Sequence, residues 1–494
     1  MIAELRHKQK EYSESRSGST KKALGQYFTD SPIAEFMSGL VDVDSLDSRL
    51  VTILDPGAGH GILTASIALY LLNNGISKVE ATLYEIDDNI IEHLAGVLER
   101  IQLLFAKEKK IFTYKIINDD FVVLRPDLKK EYDVSVINPP YFKYSASKSI
   151  YSKKTSDLFK GDPNIYASFI AITLSAMKAN GQIVVISPRS FLNGLYFKGF
   201  RNYLLNNSKI DLVHIFNSRK DVFVDSDVLQ ENVIFKMTKT QRQYEKITIS
   251  TSNGIYDLSN SRQTIYPRDI IVDEDNSERM IRIPENQGDY RVLRRAENLP
   301  STFSDEGYFI STGPVVEFRT RTSLTTKHSC HKTVPLIRVH NVRISGIIWN
   351  GTNKKDISIV LGSENDKHLI GNNRSVILKR FTSKDEPRRL VAGIYEPIEG
   401  ISSIGVTNKL NYIGRRDCPL SEEEALGLSM LFNSEFMDKY YRCISGNTQV
   451  NATDIRVMKI PKRNQIIKIG KMAYNVGPLS YETIESNIKN VLND

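Results

Sequence analysis

Long apolar runs are absent from this chain, and cysteine is scarce. No segment approaches the roughly 20 consecutive apolar residues that a bilayer-crossing helix needs, although 40% of the 494 residues are hydrophobic. The three cysteines, Cys330, Cys418 and Cys443, stand too far apart in sequence for a disulfide framework or a zinc cluster. That suits a reducing cytosol and leaves no metal site to expect. The opening stretch MIAELRHKQKEYSESRSGSTKK lacks the apolar segment of a secretion signal and reads as a flexible or short helical arm over residues 1–24. A strong excess of either charge is missing too: 66 Lys and Arg face 58 Asp and Glu, a formal +8. So modest a balance is compatible with a polyanionic partner without requiring one. At this length two domains, or three, are expected.

From about residue 50 to 240, short β-rich runs alternate with helical patterns, the rhythm of a doubly wound parallel sheet. The strand candidates are VTILD (51–55), VEATLYE (79–85), IFTYKII (111–117), YDVSVIN (132–138), GQIVVIS (181–187), IDLVHIF (210–216) and ENVIFKM (231–237). Apolar residues at helical spacing fill the gaps in GILTASIALYLLNN, NIIEHLAGVLERIQLLFAKE and NIYASFIAITLSAMKAN, with Gly181 as a helix-ending residue after the last. The link between the sixth and seventh strands is too short for a helical crossover, so one strand should run antiparallel. The expected fold is a Rossmann-like, seven-stranded α/β sheet over residues 25–244. After it the rhythm changes to short, polar, turn-rich stretches with basic clusters and no repeat, expected to form a separate, mainly mixed α/β DNA target-recognition domain over 245–494.

The first strand ends in Asp55 and runs through Pro56-Gly57-Ala58-Gly59-His60-Gly61 into a helix. Glycines there let the backbone pass close to a ligand at a helix N-terminus, although a tight turn would need them equally. The second strand ends Tyr84-Glu85-Ile86-Asp87, which sets a carboxylate where it can take both hydroxyls of a ribose. The third leads to Asn118-Asp119-Asp120-Phe121, offering a carboxylate for an adenine amine and a ring for its face, or simply a core aromatic. Together the three strand ends outline a nucleoside pocket.

The fourth strand ends Ile137-Asn138-Pro139-Pro140-Tyr141-Phe142. An adenine amine is a poor nucleophile because its lone pair is delocalised into the ring. The Asn138 side-chain carbonyl and the Pro139 backbone carbonyl can accept its two hydrogens and favour a tetrahedral nitrogen. Pro139 and Pro140 restrict the backbone so that both acceptors converge. Tyr141 offers an aromatic face. A base must leave the duplex to reach such a pocket, so a second ring is needed. The segment Ser190-Phe191-Leu192-Asn193-Gly194-Leu195-Tyr196-Phe197 can supply it, with Phe197 the first choice and helix-core packing the rival reading.

Together these residues resemble the adenine-N6 methyltransferases of type II restriction-modification systems in the gamma motif order, with a TaqI-like catalytic domain. Gly25-Gln26-Tyr27-Phe28-Thr29-Asp30-Ser31-Pro32 looks like that family's N-terminal motif, and the segment Asp162 to Phe200 is typical as well. KRFTSKDEPRR and GNTQVNATDIR resemble the PstI- and BsuBI-like branch. The resemblance implies that Thr29, Asp55, Gly57, Ala58, Gly59, Glu85, Ile86, Asp120, Phe121 and Asn138 hold S-adenosyl-L-methionine. It implies that Asn138, Pro139, Pro140, Tyr141 and Phe197 hold and activate the adenine. His60 departs from the family's glycine loop, where a small or polar residue is commoner. The partners implied are double-stranded DNA and a separate cognate restriction endonuclease, in the cytoplasm of a prokaryote, the enzyme acting as a monomer.

In the second half, Arg319, Arg321, Arg338, Lys379, Arg380, Arg388 and Arg389 are candidates for phosphate or guanine contacts, against the plainer reading of solvated surface charge. The amides of Gly446-Asn447-Thr448-Gln449-Val450-Asn451 could read adenine edges, line a cleft, or make a capped turn. No nuclease signature of the Pro-Asp…Asp/Glu-x-Lys type stands in a suitable strand context. The rival functions are methylation of adenine in structured RNA, methylation of a protein glutamine, and a DNA-specificity module without catalysis.

Overall fold

The computed structural model describes residues 29–492, apart from 126–130, 145–148, 162–163, 218–230, 243–244, 275–277, 330–331, 363, 365, 383–385, 447 and 474–479. The expected N-terminal arm, and Gly25 to Phe28 of the upstream motif, lie outside the described residues. The chain divides into two compact units, Met1–Ile281 and Arg282–Asp494.

Among the described residues, the first unit is built on one sheet of nine strands: β1 (Val51–Asp55), β2 (Lys78–Tyr84), β3 (Ile111–Ile117), β4 (Tyr132–Ile137), β5 (Met177–Pro188), β6 (Ser208–Phe216), β7 (Asn232–Lys239), β8 (Lys246–Ser252) and β9 (Arg262–Pro267). Their spatial order is β3-β2-β1-β4-β5-β7-β6-β8-β9. The chain moves outward from β1 to β3, then returns to the other side of β1 to lay down β4. The carboxyl ends of β1 and β4 therefore flank a topological switch point, where such sheets bind ligands. β7 runs antiparallel between β5 and β6, as the short connection required.

Seven helices matter for the site: α1 (Ser31–Gly39), α2 (Ile62–Asn73), α3 (Asp88–Lys107), α4 (Phe121–Leu124), α5 (Ile150–Thr155), α6 (Ile165–Ala176) and α7 (Lys198–Asn207). α3 is amphipathic, burying Ile90, Leu94, Val97, Leu98, Ile101 and Phe105 on one stripe. α2 and α6 are apolar nearly all round and are buried accordingly. α1 joins the same core through Ile33, Ala34 and Met37, and Ser38 donates to the Ser66 hydroxyl of α2 at 2.9 Å.

Three sequence expectations need correction. Among the described residues the sheet has nine strands and a second antiparallel strand, β9, rather than seven with one. β8 pairs parallel with β6 and continues the sheet past residue 244, so the boundary falls at 281/282. Gly181 does not end a helix. α6 stops at Ala176, and β5 begins at once with a bulge in which Tyr132 pairs with Met177 and Val134 with Gln182. In that bulge a Cβ on Gly181 would press on the carbonyls of Lys178 and Tyr132 at 3.0 Å.

The second unit opens with the helix Gln287–Glu297, continues in short strands and closes with helices. A four-stranded antiparallel sheet joins Tyr308–Thr312, Leu410–Arg415, Ser375–Lys379 and Ala392–Tyr395 in that order. A five-stranded mixed sheet carries Thr333–Ile337 at its centre. Helices Glu422–Asn433 and Arg463–Ala473 then cross closely at two glycines. A Cβ on Gly427 would run into the Ile466 carbonyl, and one on Gly470 into the Glu423 carbonyl.

Candidate active site

At the carboxyl end of β1, Asp55 is buried and accepts the Thr64 hydroxyl at 2.6 Å. Burial pushes its pKa up to about 6, helped by the Glu85 charge and opposed by the Thr64 hydroxyl and the Gly57 amide. The loop that follows turns back immediately. The Gly61 amide donates to the Ala58 carbonyl (2.8 Å), and the Ala58 amide to the Tyr84 carbonyl at the end of β2 (3.0 Å). Gly59 and Gly61 adopt φ of 53° and 81°, where a side chain would be strained. A Cβ at Gly61 would also fall 2.7 Å from Leu94 Cδ1. His60, between them, is buried with its Nδ1 3.3 Å from His93 Nδ1.

Glu85 follows β2 and clamps this loop: one oxygen accepts the Gly59 amide (2.7 Å), the other the Asp87 amide (2.8 Å). Burial raises its pKa against those bonds. Each carboxylate oxygen retains capacity for a further donor. The next residue, Ile86, leaves its apolar side chain 51% exposed. Beyond β3, Asp120 caps α4 by accepting the Val122 and Val123 amides (2.9 and 3.0 Å), and its second oxygen accepts the Tyr151 hydroxyl at 2.9 Å. Burial and this carboxylate push the Tyr151 phenol up to about 12. Phe121 is only 1% exposed, packed against Tyr84 and Phe169, so its ring is core.

Asn138, one residue past β4, is held at both ends of its amide. The NH2 donates to the Thr29 hydroxyl at 3.0 Å across 109 residues, and the carbonyl oxygen accepts the Tyr141 hydroxyl at 2.7 Å. The Tyr141 hydroxyl also lies 3.2 Å from the Ile186 carbonyl of β5. α1 makes the long-range contact possible: docked on α2, it fixes the residues just before it. Pro139 is buried and Pro140 half-buried.

Three rings follow in series. Tyr141, 8% exposed, stands edge-on to Tyr166 of α6 at 6.2 Å. Tyr166 is fully buried and stacks on Phe197 at 5.3 Å with the planes 20° apart. Phe197 is itself 8% exposed, while its neighbour Tyr196 is 67% exposed. The turn carrying these residues is pinned by Arg201 of α7, a fully buried guanidinium that donates to the carbonyls of Phe191 (3.0 Å), Gly194 (2.6 Å) and Glu278 (3.0 Å).

The strand ends thus bring together Thr29, Asp55, Gly57 to Gly59, Glu85, Ile86, Asp120 and Asn138, with Tyr141 beside Asn138. Sequence reasoning missed Tyr151, Tyr166 and Arg201. Each is an isolated aromatic or basic residue on an ordinary helix, and only the three-dimensional contacts distinguish it. Among the basic candidates of the second unit, Arg389 is wholly buried. It donates to the Ser445 carbonyl and lies over the Tyr441 ring, a structural arginine. Arg388 pairs with Glu485 and covers Tyr481, and Arg338 pairs with Glu317. Arg319 and Arg321 are exposed. Asn447 lies outside the described residues.

Comparison with known proteins gives consistent results. The family model described as Eco57I restriction-modification methylase matches residues 61–223. Type II methyltransferase M.PstI of Providencia stuartii is 34% identical over 459 residues, covering 90% of this chain and 88% of that protein. Type II methyltransferase M.BsuBI of Bacillus subtilis is 35% identical over 488 residues, covering 96% and 94%. Among solved structures, the type IIL restriction-modification enzyme MmeI in complex with DNA aligns with a TM-score of 0.51 at 12% identity, covering all of this chain and 74% of that one. A nuclease-deletion mutant of the type ISP restriction-modification enzyme LlaGI, in complex with a DNA substrate mimic, gives 0.53 at 12% identity, covering 90% and 46%. At such identities these two structures speak for the fold alone.

Proposed function

Because the chain belongs to the type II methyltransferases of restriction-modification systems, we propose that it methylates N6 of an adenine flipped out of duplex DNA. The observation that carries this reading is the doubly held Asn138 amide beside the Pro139 carbonyl and the Tyr141 ring. The methyl donor is S-adenosyl-L-methionine, whose sulfonium supplies an electrophilic methyl group. The residues present fit that group. Asp55, Glu85 and Asp120, at the ends of three adjacent strands, offer carboxylates to a cationic, hydroxyl-bearing and amine-bearing ligand. The half-exposed Ile86 offers an apolar surface for a purine. The left-handed glycine at 59 brings backbone close to the same place.

In this reading Glu85 takes the ribose hydroxyls with its remaining acceptor capacity, Asp120 the adenine amine of the cofactor, and Asp55 its cationic end. Asn138 and Pro139 accept the two hydrogens of the target amine, which withdraws the nitrogen lone pair from conjugation and aims it outward. The amine loses a proton to water after transfer, so no side chain need act as a general base. Positioning and exclusion of water supply most of the acceleration. Stacking on Tyr141 and Phe197 offsets the cost of unpairing the base.

The test is a purified-protein assay with unmethylated plasmid DNA and the tritiated cofactor, followed by digestion to nucleosides. Label in N6-methyldeoxyadenosine with the intact protein, and none with Asn138→Ala, is expected. Label in cytosine, or transfer to ribosomal RNA in preference to duplex DNA, overturns the reading.

A further inference from the structure

Tyr151 stands between the two halves of the candidate active site. Its short helix, α5, starts at Ser149, whose hydroxyl accepts the Tyr151 amide at 3.2 Å. The phenol donates to one oxygen of Asp120 at 2.9 Å, while the other oxygen of that carboxylate accepts the Val122 and Val123 amides. With its pKa pushed up to about 12, the phenol stays a donor at neutral pH. Each oxygen of a carboxylate can accept more than one donor. The Asp120 oxygen that holds Tyr151 can therefore take a ligand amine as well, and it then ties that ligand to α5.

The ring of Tyr151 packs on the residues that follow Tyr141. Phe142 lies 5.9 Å away between ring centres, with the planes 60° apart, and Tyr144 lies 5.6 Å away at 55°. These residues are fastened to the start of α6. The Phe142 carbonyl accepts the Ile165 amide at 2.9 Å, Lys143 bridges to Asn164, and the Tyr144 hydroxyl lies 2.8 Å from the Ser168 hydroxyl. Tyr166, on the same turn of α6, stands against Tyr141 and stacks on Phe197. Contacts thus run from Asp120 through Tyr151 to the rings beside Asn138. Coupling between two sites requires an element whose position both of them bias. Tyr151 is bonded to one site and packed on the other.

We propose that Tyr151 is a positioning residue through which occupation of the cofactor pocket at Asp120 steadies residues 138–144, the segment that grips the target base. An adenine amine sharing the Asp120 oxygen favours the placement of that carboxylate in which the phenol stays bound. The phenol in turn holds the Phe142 and Tyr144 rings. The proposal deepens the reading above and rests on its placement of the cofactor's adenine amine at Asp120.

Hydrogen–deuterium exchange of residues 138–144, with and without saturating S-adenosyl-L-homocysteine, tests the coupling. This demethylated cofactor keeps the adenine amine, and no DNA is present. In the wild-type protein it should slow exchange at Phe142 to Tyr144 by roughly fivefold or more, the low end of the usual coupling between sites. Tyr151→Phe should still bind the compound to within about tenfold, the loss of one hydrogen bond, yet show no such slowing at saturation. Tyr144→Phe leaves the Asp120 hydrogen bonds in place and should also lose the slowing; it carries the test if Tyr151→Phe melts early. A merely structural ring would speed exchange alike with and without the compound and leave the wild-type ratio intact. That outcome, or no slowing in the wild-type protein, overturns the proposal. Unchanged cofactor affinity in Asp120→Ala would instead overturn the placement of the adenine on which it rests. Because no DNA takes part, these results are separate from the adenine-N6 reading, which the plasmid assay decides.

Discussion

In the proposed reaction Thr29 acts through Asn138: its hydroxyl takes the amide NH2 and so sets which end of that amide faces the target amine. Thr29→Val should therefore lower kcat by roughly tenfold, the equivalent of one lost hydrogen bond of about 1.4 kcal/mol. Thr29→Ser should restore it, and steady-state kinetics at saturating cofactor check both. Asp55 makes a second, pH-dependent case. Its folded pKa is raised to about 6. A raised carboxylate adds stability that is full below the unfolded value near 4 and lost as pH rises through about 6. At pH 8, then, Asp55→Asn should raise the melting temperature of the cofactor-free protein. The same substitution should weaken cofactor binding. In the wild type, affinity should fall as pH drops through about 6, because the neutral acid no longer attracts a cationic ligand. Calorimetric titration across pH 5 to 8, on the order of one-unit steps, follows that loss over the range set by the shift; a flat wild-type profile would contradict the role given to Asp55.

Helices and strands show where sequence reasoning succeeds. VTILD was legible to the residue because a buried parallel strand reads as a continuous apolar run bounded by turn residues, and IFTYKII, a largely uncovered edge strand, because β-branched and aromatic residues fill it. The antiparallel β7 was legible from connection length alone. β8 and β9 were not, because KITISTS and RQTIYP are rich in polar residues and no helix separates them. The site divides in the same way. Asn138 and the glycine loop announce themselves as motifs, whereas Tyr166 and Arg201 look like any residue on a helix. Phe121 and Phe197 had core packing as the rival reading, and both rings are nearly covered. In the second unit, strands as short as Leu324–Thr325 carry too little pattern to be read. Its helix crossing gives an element-scale prediction. Gly427→Ala forces a methyl group against the Ile466 backbone, and overpacking of this kind costs about 1–3 kcal/mol. Thermal melting should fall by several degrees with the catalytic unit's cofactor affinity unchanged.

At the scale of the whole chain, the first of the two compact units carries every motif of the candidate active site. The boundary at 281/282 has a direct consequence. A fragment of residues 1–244 would lose β8 and β9 and bare the edge of β6, an invitation to aggregate. A fragment of 1–281 keeps the sheet whole and should elute as a discrete species that binds the cofactor; size-exclusion chromatography of the two distinguishes them. Conserved length supports a shared architecture with the relatives, since alignment covers 88% and 94% of M.PstI and M.BsuBI. The central claim is adenine-N6 methylation of DNA through the Asn138 amide. Single-molecule sequencing of a host genome expressing the intact protein, beside one expressing Asn138→Ala, tests it most directly. N6-methyladenine in one short motif with the intact protein, and its absence with the variant, is the predicted result. The same motif methylated in both genomes, or a methylated cytosine in place of adenine, would contradict it.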